Sequence, residues 1–190
     1  MPKKLKVFLD PGHGGHDLGA CFRDLLLEKD VNLDVCLAAA QRLQFLFWTA
    51  LSRHSDLPLP LSNRWIQANA WKADIFISIH CNADPDADLP GDPEAKGEEI
   101  WIYKGSQQGL ALAQAMKEHV DTFFPDHGFR GIRETTRLGV LQHTNMPAIL
   151  IELGFLDHME TSGALQSEII KIRIGHLISA GVQNYARHYA

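Results

Sequence analysis

Three short apolar runs each lead into residues capable of acid–base or metal chemistry: Leu5 to Leu9 into Asp10-Pro11-Gly12-His13, Ala73 to Ile79 into His80, and Ala148 to Ile151 into Glu152. In an open parallel sheet the carboxyl ends of the strands line one edge, where ligands bind. The two histidines and the carboxylate are therefore expected to converge. A lone histidine at a strand end is commonly structural; several at one edge weaken that explanation. Glu28 adds a second carboxylate where the first long helix begins, and Gly14, Gly15 and Gly19 let the intervening loop bring it beside His13. Taken alone, Glu28 would be an acid favourably placed against a helix dipole. Two neutral imidazoles and a carboxylate form the three-ligand set of a catalytic Zn²⁺, which keeps its fourth position for water or substrate. One carboxylate is then free to act as a base. Spacing alone leaves open which of Glu28 and Glu152 binds and which takes the proton.

The glycine-rich stretch does not read as a nucleotide loop. In Gly12-His13-Gly14-Gly15-His16-Asp17 the third glycine of GxGxxG falls on Asp17. Gly14 to Gly19 has the P-loop gap, but Ala20 and Cys21 stand where Lys and Ser/Thr are needed. Cys21, Cys36 and Cys81 contain no CxxC pair, so a disulfide framework or a cysteine zinc site is not indicated.

These residues need a scaffold, and the pattern around them supplies one. The 190 residues suffice for a single domain, and 45% hydrophobic with 22% charged residues is ordinary globular composition. The reading is one α/β domain over 1–190 with a twisted, mostly parallel central sheet of about six strands, flanked by helices on both faces. Phe47 to Ser52 and Glu99 to Tyr103 are the weaker strand candidates. Val31, Val35, Ala39, Leu43 and Leu46 mark an amphipathic helix from about Glu28 to Leu46. A second helix is expected over Leu61–Trp71, capped by Ser62. A third, carrying Leu112, Met116, Val120 and Phe123, is stopped by Pro125 and Gly128; the last 25 residues close the fold as a helix. Asp84 to Glu98, with Pro85, Pro90 and Pro93, is expected to be a mobile surface loop. Eighteen Lys+Arg against 23 Asp+Glu give a net charge of −5, the wrong sign for wrapping nucleic acid. No run approaches the length of a membrane helix, and the apolar stretch after Lys3, Lys4 and Lys6 is too short for a signal peptide core.

The chain resembles the zinc-dependent N-acetylmuramoyl-L-alanine amidases of the amidase-3 type. The resemblance rests on six stretches in the family's order: Phe8 to Ala20, Glu28 to Leu33, Ser52 to Asp56, Leu61 with Arg64 and Ala68-Asn69, Ala73 to Ala83, and Pro147 to Phe155. It implies one Zn²⁺ held by His13, Glu28 and His80, with Glu152 as catalytic acid/base, and so resolves the ambiguity that spacing left. The sequence departs from the family pattern at Leu18, usually proline, in the short interval from Gly19 to Glu28, and at His158, usually asparagine.

The function so implied is hydrolysis of the amide between N-acetylmuramic acid and L-alanine in peptidoglycan, as a phage or prophage endolysin or other cell-lysis enzyme. A zinc peptidase acting within the stem peptide and a silent wall-binding module are the alternatives. His143 and Asn82 are candidate substrate contacts, and His16 is a further histidine that could line the site. Arg64 and Asn69 are expected to fix their helix on the sheet. A monomer is expected, without nucleic acid or membrane insertion. It would be made in the cytoplasm and released by holin-type lysis, unless an export signal once preceded this start.

Overall fold

The computed structural model describes residues 4–22, 25–84, 95–124, 126 and 128–189. The expected strands form as β1 (Lys6–Pro11), β4 (Trp48–Leu51), β5 (Ile75–Asn82), β6 (Glu99–Tyr103) and β8 (Ala148–Phe155); the structure adds β7 (Gly131–Thr135), which no apolar run marks, and a small hairpin of β2 (Cys21–Phe22) and β3 (Leu26–Leu27). The helices are α1 (Glu28–Leu43), α2 (Leu61–Trp71), α3 (Gln107–Val120), α4 (Gly139–Gln142), α5 (Met159–Leu165) and α6 (Glu168–Tyr189). Six strands form one sheet in the order β4-β1-β5-β8-β6-β7. All neighbours run parallel except β6 and β8.

Alternation along the strands sorts the side chains between two faces. Val7, Leu9, Ile75, Ile77, Ile79, Ile149 and Ile151 join one core with residues of α1, α3 and α6, including Val31, Met116 and Ile178. Phe8, Phe76, Ala148 and Leu150 join a smaller core with Ala68 of α2 and Val140 and Leu141 of α4. By the same alternation Asp10, His80 and Glu152 continue the second face, at the carboxyl ends of three adjacent strands. Because α2 and the short α4 cover this face only partly, a cleft remains at that edge.

Several local expectations are corrected. Helix α1 ends at Leu43 rather than Leu46, because the chain must turn there into β4; Phe45 and Leu46 are left exposed. Ser62 does not cap α2: Pro60 holds the N-cap position without a side-chain hydrogen bond, and Ser62 lies inside the helix. Helix α3 ends at Val120. The proposed stop at Pro125 lies outside the described residues, as do residues 85–94 of the loop expected over Asp84–Glu98. His158 is the N-cap of α5, its ring accepting from the Thr161 N–H, which is the service an asparagine gives at that position.

The junction of β1, β4, β5 and α2 is polar. Fully buried Asp10 accepts hydrogen bonds from Ser52 Oγ (2.6 Å), Ser78 Oγ (2.8 Å) and Arg64 Nη1 (2.8 Å). A buried charge is tolerated when paired and hydrogen-bonded in this way. Asp10→Ala would leave Arg64 an uncompensated buried cation. It is expected to cost about 3–5 kcal/mol, read as a lowered urea midpoint; a loss below about 1 kcal/mol would mean that Arg64 has found another partner.

Candidate metal centre

His13 follows β1 in a left-handed conformation (φ 60°), unusual for a residue other than glycine. Two arginines hold this turn. Arg64 donates to the carbonyls of Pro11 (2.7 Å) and His13 (2.7 Å), and Arg53 donates to those of Pro11 (3.1 Å) and Gly12 (2.9 Å). Asp17 Oδ1 lies 2.9 Å from His13 Nδ1 and so turns Nε2 toward Glu28. Gly12 is needed for a close approach, since a Cβ there would lie 2.3 Å from His80 Cε1.

Glu28, the first residue of α1, stands between the two imidazoles. Its Oε1 lies 3.1 Å from His13 Nε2 and 3.0 Å from His80 Nδ1. Backbone N–H groups of Ala20 (2.7 Å) and Cys81 (3.0 Å) donate to its two oxygens, and Asn32 Nδ2 is 3.3 Å from Oε1. One donor atom each from His13, Glu28 and His80 lies within 4.8 Å of the others, the only such group of three or more metal-capable side chains among the described residues. Burial acts to raise the Glu28 pKa, but hydrogen bonds from His13 and then His80 outweigh it and hold the carboxyl well below the usual range. For His13, burial acts downward, and Glu28 and Asp17 overcome it to raise the pKa. Two imidazoles and an ionised carboxylate fit the donor chemistry of zinc. Cys81, the neighbouring soft donor, lies in the other core, near Asn32 Oδ1 (3.8 Å). Burial, followed by the charges of Glu28 and Glu152, pushes its thiol pKa well up, which favours the protonated form.

Glu152 is placed differently. It pairs with His80 across β5 and β8 and with Glu99 across β6 and β8. Its Oε2 is buried without a hydrogen-bond partner among the described residues. Burial pushes its pKa up to about 7; His80 pulls the other way, and Glu28 and Glu99 add to the rise. His13, His80 and Glu152 line a cleft of about 230 Å³, together with Asp17, Arg64, Arg137 and an apolar wall that includes Leu59, Leu138 and Val140.

The other candidates lie elsewhere. His143 is exposed, its ring 4.8 Å from that of Trp65, and its carbonyl accepts from Asn69 Nδ2 (2.7 Å). Asn82 turns to Glu99 Oε2 (3.4 Å), and His16 is exposed; none of the three lines the cleft. Arg64 does tie α2 to the sheet, and Asn69 clamps the turn at 143–145 by also accepting from the Asn145 N–H (3.0 Å). Sequence reasoning missed Arg53, Asp17 and Arg137. For Arg53 and Asp17 the surrounding motifs were visible, but only the folded turn shows what each one holds.

Fold and cluster together define an α/β domain with a candidate His–Glu–His metal centre at the carboxyl edge of its sheet. The N-acetylmuramoyl-L-alanine amidase family matches residues 7–184, and the chain belongs to that family. It is 34% identical over 189 residues to N-acetylmuramoyl-L-alanine amidase CwlM of Bacillus licheniformis, covering 98% of this chain and 66% of that protein. It is 33% identical over 168 residues to the endolysin of Bacillus phage SPP1, covering 85% of this chain and 59% of the endolysin. The chain thus spans less than two thirds of the length of these relatives. The crystal structure of N-acetylmuramoyl-L-alanine amidase from Clostridium difficile 630 matches with a TM-score of 0.89 at 32% identity, covering 98% of this chain and 99% of that one.

Two predictions follow from the geometry. Gly12→Ala should displace the flexible His80 ring rather than unfold the chain, weakening zinc affinity about tenfold or more with a small change in melting temperature; unchanged affinity would show that His80 need not lie over Gly12. The second concerns the metal-free chain, in which folding raises the Glu152 pKa from its ordinary 4.5 to about 7. The folded state therefore disfavours ionised Glu152, and stability falls as pH rises from about 4.5 to about 7, then levels. Chelator-stripped Glu152→Gln should be more stable than the parent at pH 8 by roughly 3 kcal/mol, the difference vanishing toward pH 4.5. Denaturant titrations at both pH values measure this; a parent equally stable at pH 8 would show that the carboxylate is solvated.

Proposed function

We propose that the chain is a zinc-dependent hydrolase of the amide between N-acetylmuramic acid and L-alanine in peptidoglycan, with residues 1–190 acting as one catalytic domain. Family membership supports the bond chosen. The observation that carries the mechanism is the grouping of His13, Glu28 and His80, two of which line one cleft with Glu152, whose Oε2 has no hydrogen-bond partner among the described residues. His13, Glu28 and His80 would hold the metal. When bound there, Zn²⁺ supplies Lewis-acid polarisation of the carbonyl and of water.

Glu152 is the proposed base. Its carboxylate takes a proton from the water that attacks the carbonyl and, as the C–N bond breaks, delivers it to the departing alanine nitrogen. Leu59, Leu138 and Val140 make part of the lining of the same cleft apolar. We read the chain as acting as a monomer. The similarity to a phage endolysin supports a role in lysis with holin-type release, and the similarity to CwlM supports the same chemistry on a bacterium's own wall.

Digestion of purified peptidoglycan followed by mass spectrometry tests the bond. New alanine N-termini beside intact muramic acid are expected; cuts confined to the stem peptide would replace the amidase with a peptidase. Among variants, His13→Ala, Glu28→Ala and His80→Ala should each lose most zinc by atomic emission, since a three-ligand set has no spare donor. Glu152→Gln should keep the zinc and lose turnover by about 10²–10⁴-fold. If Glu152→Gln lost the metal while Glu28→Gln kept it, the two carboxylates would exchange roles.

A further inference from the structure

We propose that Arg137 sets which peptides the site accepts, by binding a carboxylate on the peptide that begins with the alanine. This inference rests on the amidase reading above. Two arginines, Arg64 and Arg137, are among the residues that line the cleft with His13, His80 and Glu152, and their guanidinium groups differ in what they meet. That of Arg64 is spent on Asp10 and on the carbonyls of Pro11 and His13. Arg137 is exposed, and its guanidinium has no hydrogen-bond or ion-pair partner among the described residues. Its backbone is nonetheless fixed: the Arg137 N–H donates to Thr135 Oγ1 (3.0 Å), and the chain passes directly into Leu138 and α4. Arg133, on the preceding strand, lies instead against Glu99, with Nε 3.0 Å from Oε1.

An arginine fork matches a carboxylate in two parallel hydrogen bonds, and its charge does not titrate away. The chain as a whole carries −5, so an anionic substrate meets general repulsion and gains from a local cation. Leu138, Val140 and Leu150 form an apolar strip in the same cleft, suited to the alanine methyl. The cleft holds only about 230 Å³. One extended residue spans roughly 3.5 Å, so a carboxylate reaching Arg137 belongs within the first residues after the scissile amide. In peptidoglycan the residue after alanine is a glutamate joined through its side-chain carboxyl, which leaves the α-carboxyl as a free acid or, in other walls, as a carboxamide. Arg137 would distinguish these two forms.

The test uses two muropeptides identical except for carboxylate or carboxamide at that α-position. The zinc-loaded parent should cleave the carboxylate with a kcat/KM about tenfold or more above the carboxamide. Arg137→Gln should lose that preference, its kcat/KM on the carboxylate falling to that on the carboxamide, and Arg137→Lys should keep part of it. Binding of the two peptides to zinc-loaded Glu152→Gln, by calorimetry, should show the same preference without turnover. Equal handling of both peptides by the parent, or a preference that survives in Arg137→Gln, overturns this inference. Failure of the parent to cleave either peptide, together with intact amides in digested peptidoglycan, overturns the amidase reading instead.

Discussion

The turn that presents His13 exists because two buried arginines gather the carbonyls of Pro11, Gly12 and His13, and because Asp10 answers the charge of one of them. Without these bonds the carbonyls of Pro11 and His13 would lose these partners, that of Gly12 would keep only Asn32 Nδ2 at 3.4 Å, and the left-handed backbone of His13 would be held less firmly. The same ion pair joins β1 to α2, while Ser52 and Ser78 bring in the exit of β4 and the body of β5. The position of one imidazole is thereby tied to the whole second face of the sheet. The cost is the burial of Asp10, Arg64 and Arg53, an arrangement that a hydrophobic packing of equal volume would often exceed in stability. Its return is a proposed ligand held in place by the fold itself.

Two carboxylates at one sheet edge are driven in opposite directions by their surroundings. Glu28 receives two backbone N–H groups and two imidazoles, so its ionised form is the favoured one. Glu152 is buried with an oxygen that finds no partner and has acidic neighbours in Glu28 and Glu99, so its proton is held more tightly. Environments that separate the pKa values of paired acids are a physical basis for separate roles. Here they favour Glu28 as the proposed ligand and Glu152 as the proposed proton carrier.

Much of this was legible in the sequence. Strands β1, β5 and β8 carry apolar runs buried in the sheet, that of β5 interrupted by Ser78, and each leads into Asp10, His80 or Glu152, so their edge could be read directly. β7 escaped notice because Gly-Ile-Arg-Glu-Thr at the sheet's edge needs no apolar run. The two-residue strands β2 and β3 and the four-residue α4 are too short to carry a period. The division between Glu28 and Glu152 followed from the family resemblance; physically it depends on which carboxylate meets N–H donors, and that is decided by Gly19, Ala20 and Cys81 from separate segments. Arg137 carries no local signal at all. Its position gains meaning only when α4 folds beside the ends of β5 and β8.

On this reading the folded chain, not the metal, sets the geometry of the His13–Glu28–His80 cluster. Crystal structures of the chelated and zinc-loaded chain test it most directly. The account predicts that His13, Glu28 and His80 keep their rotamers, that the Pro11–His13 carbonyls stay on Arg53 and Arg64, and that the Cα atoms of the cluster move by less than about 1 Å. A metal-free His13 turn released from both arginines, or Glu152 in place of Glu28 on the bound zinc, would contradict it.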